Sequence, residues 1–195
     1  MQKASGTTAR ERILETAARL FYAQGIRAVG VDTVVSEANV AKATLYAHFR
    51  SKNDLIEAYL RREAVRAQEE IQHIETVTSP GPERVGALFD HAASAADLPG
   101  YQGCCFINAA AEHLDPDSRV VEVVAENRRV LLDYLTDNVD HSTHGERAAA
   151  ARIVLTLFDG AKVASVSEGG AAFRSVRQTA LELASSTAAA WQTAG

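Results

Sequence analysis

Two short helical patterns separated by a tight turn, between Val31 and Lys52, constrain the fold of this chain more than any other stretch. Apolar residues recur at three- and four-residue spacing in residues 31–38, and again at Leu45 and Phe49, as on one face of a helix. Only two residues separate the patterns, and the first, Asn39, tolerates the left-handed backbone that such a turn requires. The stretch therefore predicts a helix-turn-helix.

The outward face of the second predicted helix carries groups that suit contact with DNA. If Leu45 and Phe49 face the core, helical geometry turns small and polar side chains the other way. Small side chains let a helix approach a groove, while polar ones bond to phosphates or base edges. The candidate DNA contacts are Lys42, Ala43, Thr44, Tyr46, Ala47, His48 and, just beyond the helix, Lys52.

This motif resembles the DNA-binding domain of the TetR family of transcriptional repressors. In that family the recognition helix ends in Leu-Tyr-x-His-Phe and is followed by Ser-Lys, and residues 45–49 and 51–52 match both parts. The chain departs from the family at Asn39, where Gly is frequent, and at Ala41, where a Ser or Thr cap is frequent. A lost cap costs about 1 kcal/mol.

The resemblance implies a dimer that reads a near-palindromic double-stranded DNA operator, with recognition helices in successive major grooves roughly 34 Å apart. We expect the two lysines to contact phosphates and Ala43, Thr44 and Ala47 to face bases. Tyr46 and His48 either bond to the DNA backbone or pack within the domain.

Charge is distributed unevenly along the chain, whose net charge is −5. Residues 1–53 carry eight Lys or Arg against four acids, whereas the remainder carries twelve against twenty-one. A basic head on an acidic body suits steering towards phosphates. Chance asymmetry is the alternative explanation.

The fold is predicted to be all-α with about nine helices. Residues 1–53 would form a three-helix helix-turn-helix domain, and residues 54–195 a helical ligand-binding and dimerisation domain. The expected helix signals are a Thr7 or Thr8 cap, a stop at Gly25, a Ser51–Asp54 capping box, Pro82, an Asp115–Pro116 start, and a break at Gly169–Gly170.

A small-molecule inducer is the second partner that the resemblance implies. Residues 103–112 resemble a Gly-Cys-x-x-x-Asn-Ala-x-x-Glu stretch of the family, in the helix that borders the ligand cavity. Glu112 either caps a structural element or meets a cationic ligand. The aromatic candidates either surround a ligand cavity or are ordinary residues of the core. The candidate ligand contacts are Phe89, His91, Cys105, Phe106, Asn108, Glu112, Tyr134 and Phe158.

The last two predicted helices carry apolar and small residues at helical spacing, which suits either a single-chain core or contact with a symmetric copy. In the family, two C-terminal helices from each subunit form a four-helix bundle, and we carry a homodimer over. The candidate interface residues are Leu157, Gly160, Ala161, Val176, Ala180, Leu183, Ala184 and Trp191.

Other classes of function are less favoured. No G-x-S-x-G, Walker or H-E-x-x-H motif occurs, so we expect no enzyme and no cofactor. Without a signal core or an apolar run of ~20 residues, a cytoplasmic protein with no membrane partner is expected. Two alternatives stay open: thiol-based sensing of electrophiles or oxidants through Cys104 and Cys105, and non-specific DNA binding.

Overall fold

The computed structural model describes residues 8–113 and 118–185, and every regular element within these ranges is an α-helix. The all-α prediction is confirmed. No helix in the described ranges has the length and apolar character needed to cross a bilayer. The helices are α1 Ala9–Gln24, α2 Val31–Glu37, α3 Lys42–His48, α4 Lys52–Val77, α5 Pro82–Ala96, α6 Cys105–Glu112, α7 Arg119–Asp137, α8 His144–Glu168 and α9 Ala171–Ala184.

Local hydrogen bonds explain where the first helix begins and ends. The Thr8 hydroxyl accepts the N–H of Glu11 over 3.2 Å, and the Glu11 carboxylate accepts the N–H of Thr8 over 2.7 Å. This reciprocal capping box selects Thr8 as the cap. Gly25 ends α1 with φ +89°, a conformation that favours glycine.

The turn between α2 and α3 has the predicted backbone. Asn39 adopts φ +51°, so its tolerance of the left-handed region is used here. Ala41 caps α3 without a side-chain hydrogen bond, as expected from its missing hydroxyl. Leu45 and Phe49 are buried, which fixes the face that α3 turns outward.

The predicted capping box at the start of α4 is present with one variation. The Ser51 hydroxyl accepts the N–H of Asp54 over 3.0 Å. The Asp54 carboxylate accepts hydrogen bonds from the Ser51 hydroxyl and from the N–H of Arg50. In the standard box the backbone donor is the N–H of the cap residue itself, one residue later. From this start α4 runs for 26 residues to Val77.

Within the described residues, the first compact unit comprises residues 8–65, 105–113 and 118–125. In it α1 packs against α2 and α3. Its core contains Ile13, Phe21, Val34, Leu45, Leu55, Tyr59 and Leu60, to which α6 adds Phe106 and Ala109. The compact unit therefore extends beyond the helix-turn-helix, and the functional boundary at residue 53 stays a prediction.

Within the described residues, the second compact unit comprises residues 66–104 and 126–185. In it α9 packs against α5 and α8 around an aromatic cluster. The ring of Phe158 lies 5.0 Å from that of Phe89 and 5.5 Å from that of Phe173. Asp97 secures the turn between α8 and α9, because its carboxylate receives the N–H of Gly170 over 2.7 Å and the Arg174 guanidinium over 3.0 Å.

Two predicted features lie outside the described residues. They are the Asp115–Pro116 helix start and Trp191, so neither is assigned a structure. The helix expected after Asp115 is described from Arg119 and ends at Asp137, close to the predicted end.

Candidate nucleic-acid interface and ligand cleft

The outward face of α3 carries the residues predicted to contact DNA. Thr44 is half-buried, while the other five on this helix are exposed. Tyr46 is 45% exposed although it is a large aromatic residue, so it does not pack within the domain in the way that Leu45 does. An exposed ring and hydroxyl on this face suit contact with the DNA backbone.

Lys42 already has an anionic partner, which the sequence patterns did not reveal. Its ammonium lies 2.7 Å from a carboxylate oxygen of Asp32, in the first turn of α2. The hydrogen bond to Asp32 raises the pKa of Lys42. Both side chains are exposed, so the pair stands at the surface where α3 begins.

Lys52 is half-buried rather than freely exposed. Its Nζ donates to the backbone carbonyl of Arg27 over 3.4 Å, in the loop that joins α1 to α2. Loss of solvent lowers the pKa of Lys52, and the negative charge of Glu112 partly opposes that change. The ammonium therefore occupies a defined position at the start of α4.

Further cationic side chains surround the helix-turn-helix. The Arg10 guanidinium lies over the ring of Phe49, 5.2 Å from its centroid, and is exposed on its other side. Arg12, Arg27 and Arg50 are also exposed. Arg50 was not among the predicted contacts, although it lies between the Leu-Tyr-x-His-Phe motif and the start of α4.

Three of the predicted ligand contacts come together at one cleft in the first compact unit. Cys105, Asn108 and Glu112 occupy successive turns of α6 and face the cleft. The cavity volume is about 10 Å³, about the room that one water molecule needs and far below the roughly 300–1,000 Å³ of typical ligand pockets. The remaining lining residues are Phe21, Tyr22, Ile26, Tyr59 and Ala109.

The thiol of Cys105 interacts with the hydroxyl of Tyr59 at this cleft. Burial raises the pKa of Tyr59 far above its usual value, and Cys105 adds to the effect. The Tyr59 ring packs against Phe21 with centroids 5.8 Å apart. Cys104 and Cys105 form no disulfide with each other, and both are half-buried.

Glu112 caps a structural element, which is the first of the two roles considered for it. Its Oε2 accepts the backbone N–H of Arg27 over 2.8 Å. Its other oxygen lies so close to Gly25 that a Cβ there would be 2.7 Å from Oε1. The end of α6 is thereby bonded to the loop that follows α1.

The other predicted ligand contacts do not gather at this cleft. Phe106 is buried in the first unit, whereas Phe89, Tyr134 and Phe158 lie in the packed core of the second. The Tyr134 hydroxyl donates to the carbonyl of Arg84 over 3.1 Å, and burial raises the pKa of Tyr134 to about 12. His91 is half-buried beside Glu70, with 3.5 Å between Nε2 and Oε2.

The predicted interface residues that the structure describes, which are all but Trp191, fall into three groups. Ala161, Ala180 and Ala184 are buried in the core of their own chain, which is the single-chain alternative considered for these helices. Leu157, Val176 and Leu183 pack partly against that core. Gly160 is exposed, and a Cβ added there would meet no atom within 4 Å.

Apolar side chains are nevertheless exposed along α8. Ile153 is 45% exposed, Val163 60% and Val166 63%. These three and Gly160 follow one another at intervals of seven, three and three residues, which places them on one broad face of the helix. Val163 and Val166 were not among the predicted interface residues, because the apolar spacing of α8 continues around much of the helix and does not distinguish its inner from its outer face.

Comparisons with known proteins agree with the helix-turn-helix geometry. The sequence profile described as "Bacterial regulatory proteins, tetR family" matches residues 13–59. The crystal structure of SCO4454, a TetR-family transcriptional regulator from Streptomyces coelicolor, is 35% identical and covers 90% of this chain and 92% of that one, with a TM-score of 0.79. The reduced form of Escherichia coli NemR has a TM-score of 0.77 at 19% identity, with 90% and 97% of the two chains covered, and is therefore a likeness of fold alone.

A curated relative matches over a shorter stretch. Rv1255c, an uncharacterised HTH-type transcriptional regulator of Mycobacterium tuberculosis, is 38% identical over 63 residues. The match spans 32% of this chain and 31% of that protein. It supports the assignment of a helix-turn-helix and carries no information about a ligand.

Proposed function

Because this chain belongs to the TetR family of DNA-binding transcriptional regulators, we propose that it represses transcription by binding a near-palindromic operator as a homodimer. A small molecule releases it from the operator. The observation that carries the DNA-binding part is the outward face of α3, where Tyr46, Ala47 and His48 are exposed opposite the buried Leu45 and Phe49. Residues 1–53 supply the DNA-reading domain, and the protein acts in the cytoplasm.

In this proposal the protein makes two kinds of contact with the operator, to the DNA backbone and to the bases. Lys42 and Lys52 hold phosphates and set the register of the protein on the duplex, while Tyr46 and His48 add hydrogen bonds to the backbone. Ala43, Thr44 and Ala47 approach the base edges of the major groove. Because Lys42 is paired with Asp32 in the free protein, its phosphate contact requires an exchange of partners.

The exposed apolar face of α8 supports a homodimer. Ile153, Val163 and Val166 would be covered by a second copy of the chain, and the absence of a side chain at Gly160 permits a close approach. Two recognition helices related by a twofold axis then select a palindrome with half-sites one helical turn apart.

The ligand response is proposed from the resemblance of residues 103–112 to the cavity-bordering helix of the family. The cleft beside α6 is smaller than a typical ligand pocket, so binding of an inducer would require the surrounding helices to move. Such a ligand releases DNA only if it binds the released arrangement more tightly than the operator-bound one.

The experiment that tests operator binding is selection of bound duplexes from a random DNA pool with the purified chain at near-physiological salt, followed by sequencing. Enrichment of a palindrome is the expected outcome. Binding without enrichment would support a non-specific DNA-binding module instead. Absence of any duplex binding would contradict the assignment of α3 as a recognition helix, unless binding returns on addition of a ligand.

Thiol sensing is the second candidate function, and the contact between Cys105 and Tyr59 at the cleft favours it. Alkylation of the Cys105 sulfur would add bulk between α6 and α4. We expect N-ethylmaleimide to weaken operator binding of the intact chain and of a Cys104→Ser variant, but not of Cys105→Ser. Equal loss in Cys105→Ser, or no loss in any chain, would contradict this function.

A further inference from the structure

Both backbone polar groups of Arg27 are bonded to side chains that lie far away in sequence. Its N–H donates to Oε2 of Glu112 over 2.8 Å, and its carbonyl accepts from Nζ of Lys52 over 3.4 Å. Arg27 therefore stands between a carboxylate from α6 and an ammonium from α4. A loop residue held at both ends of its backbone unit has little freedom to move.

The approach of Glu112 to this loop depends on a glycine. Gly25 has φ +89°, a backbone conformation that residues other than glycine rarely adopt. A Cβ at this position would also lie 2.7 Å from Oε1 and 2.9 Å from Oε2 of Glu112. The loop is thus shaped to receive the carboxylate.

The ammonium of Lys52 sits in surroundings that disfavour its charge. Loss of solvent lowers the pKa of Lys52, and the nearby carboxylate of Glu112 counteracts part of that loss. An ammonium has three N–H donors. The hydrogen bond to the Arg27 carbonyl uses one of them and joins Lys52, in the first turn of α4, to the loop after α1.

We propose that Glu112 is a positioning residue for the phosphate contact of Lys52: through the backbone of Arg27, the carboxylate at the end of α6 holds Nζ of Lys52 where it meets the DNA. This inference rests on the proposed function, in which Lys52 contacts a phosphate. Glu112 itself touches no DNA in this arrangement, and its effect on affinity passes through Lys52.

A double-mutant cycle tests the inference. DNA affinity is measured over a range of salt concentrations by fluorescence anisotropy, with one duplex, for the full-length wild-type chain, Lys52→Ala, Glu112→Ala and the double variant. We expect Glu112→Ala to weaken binding by up to about tenfold when Lys52 is present, the size of one charge-assisted hydrogen bond. It should weaken binding by less than about twofold in the Lys52→Ala background.

The salt dependence of DNA affinity distinguishes this role from a merely structural one, which would leave that dependence unchanged. Each single variant should flatten the slope of log K against log salt by about one unit, and the double variant should flatten it no further. Equal losses of affinity from Glu112→Ala in both backgrounds would overturn the inference. So would a gain of affinity, because Glu112 would then be withholding Lys52 from the DNA.

If Glu112→Ala does not fold, Glu112→Gln provides a second variant for the same test. Its amide oxygen can still accept the Arg27 N–H, so we expect near wild-type affinity and slope. Behaviour like that of Glu112→Ala, in a folded chain, would contradict a role through this hydrogen bond. Glu83→Gln, which neutralises an exposed carboxylate of α5, serves as the matched control for charge and should change nothing.

The same cycle separates failure of the inference from failure of the proposed function. If Lys52→Ala changes neither affinity nor slope, the phosphate contact of Lys52 is wrong and the inference falls with it, while operator selection by α3 is unaffected. If Lys52→Ala weakens binding but the cycle shows no coupling, only the role of Glu112 is wrong.

Discussion

The carboxylate of Asp32 lies 2.7 Å from the ammonium of Lys42, at the surface where the recognition helix begins. An exposed ion pair of this kind contributes little to stability. In the complex proposed above, a phosphate takes the place of Asp32 and then stands close to the displaced negative charge. We therefore expect the pair to lower affinity for every DNA sequence alike.

Replacement of Asp32 by asparagine should strengthen DNA binding. We expect a gain of roughly two- to fivefold at low salt for any duplex, which shrinks as salt screens the exposed charges. The gain should be larger with Lys42 present than in a Lys42→Ala background. Titration of a labelled duplex at several salt concentrations measures both effects, and Glu83→Gln again controls for net charge.

An unchanged affinity for Asp32→Asn would show that Lys42 does not meet the DNA. A gain of equal size in the Lys42→Ala background would show that Asp32 acts by simple repulsion. Neither result would bear on Lys52, whose partner in the free protein is a backbone carbonyl rather than an acid.

Sequence spacing predicted which residues of α3 face outward, but it did not predict the partners of the two lysines. Helical periodicity fixes the direction of a side chain relative to its own helix, and Leu45 and Phe49 were enough for that. The partners of Lys42 and Lys52 come from α2 and from the loop after α1. Their positions depend on how separate helices pack, which no local pattern encodes.

At the scale of the element, α8 has an inner face that fills the core and an outer face that exposes valines. Val163→Asp should leave the stability of the protomer within about 0.5 kcal/mol, because the side chain is 60% exposed. It should weaken self-association, because it places a charge where a second copy is proposed to pack. Sedimentation velocity and thermal unfolding measure the two quantities separately.

Val77→Asp is the matched control for this substitution. Val77 is 67% exposed at the end of α4, outside the α8 face, so its replacement should leave self-association unchanged. Equal weakening by both variants would point to a general effect of charge. No weakening by Val163→Asp would exclude this part of α8 from the interface.

Helix boundaries were largely predictable because their signals are local. The Thr8 and Ser51 caps, the left-handed Asn39 and Pro82 at the start of α5 each act within a few residues. Which faces of α8 and α9 point into the core was harder to predict from the sequence. Alanines such as Ala180 and Ala184 fit a close interface and a close core equally well, and only the packed structure shows that they are buried in their own chain.

At the scale of the whole molecule, the compact unit that contains the helix-turn-helix also contains α6. Phe21 and Tyr59 are nearly fully buried, and both line the cleft with Cys105 and Ala109 of α6. A division of the chain after residue 53 follows the motif in sequence. It does not follow the boundary of the packed core, since α6 returns to that core from far along the chain.

A fragment of residues 1–65 should therefore be less stable than the same segment in the full chain. Without α6, the aromatic side chains beside the cleft would face water and the Arg27 N–H would lose its acceptor. Circular dichroism should show unfolding at a lower temperature, and the amide of Arg27 should exchange faster. A fragment in which residues 8–65 are linked to residues 105–125 should recover stability; equal behaviour of both fragments would contradict this prediction.

The fit between Gly25 and Glu112 has a consequence for protein engineering. Regulators with new operator preferences are most simply built by transplanting the reading head of one protein onto the sensory body of another. If a foreign segment replaced residues 1–53 of this chain, its loop would lie against Glu112, and a side chain at the position of Gly25 would meet that carboxylate. A foreign DNA-binding segment should therefore have glycine at this position, or it should bring its own counterpart of α6 with it.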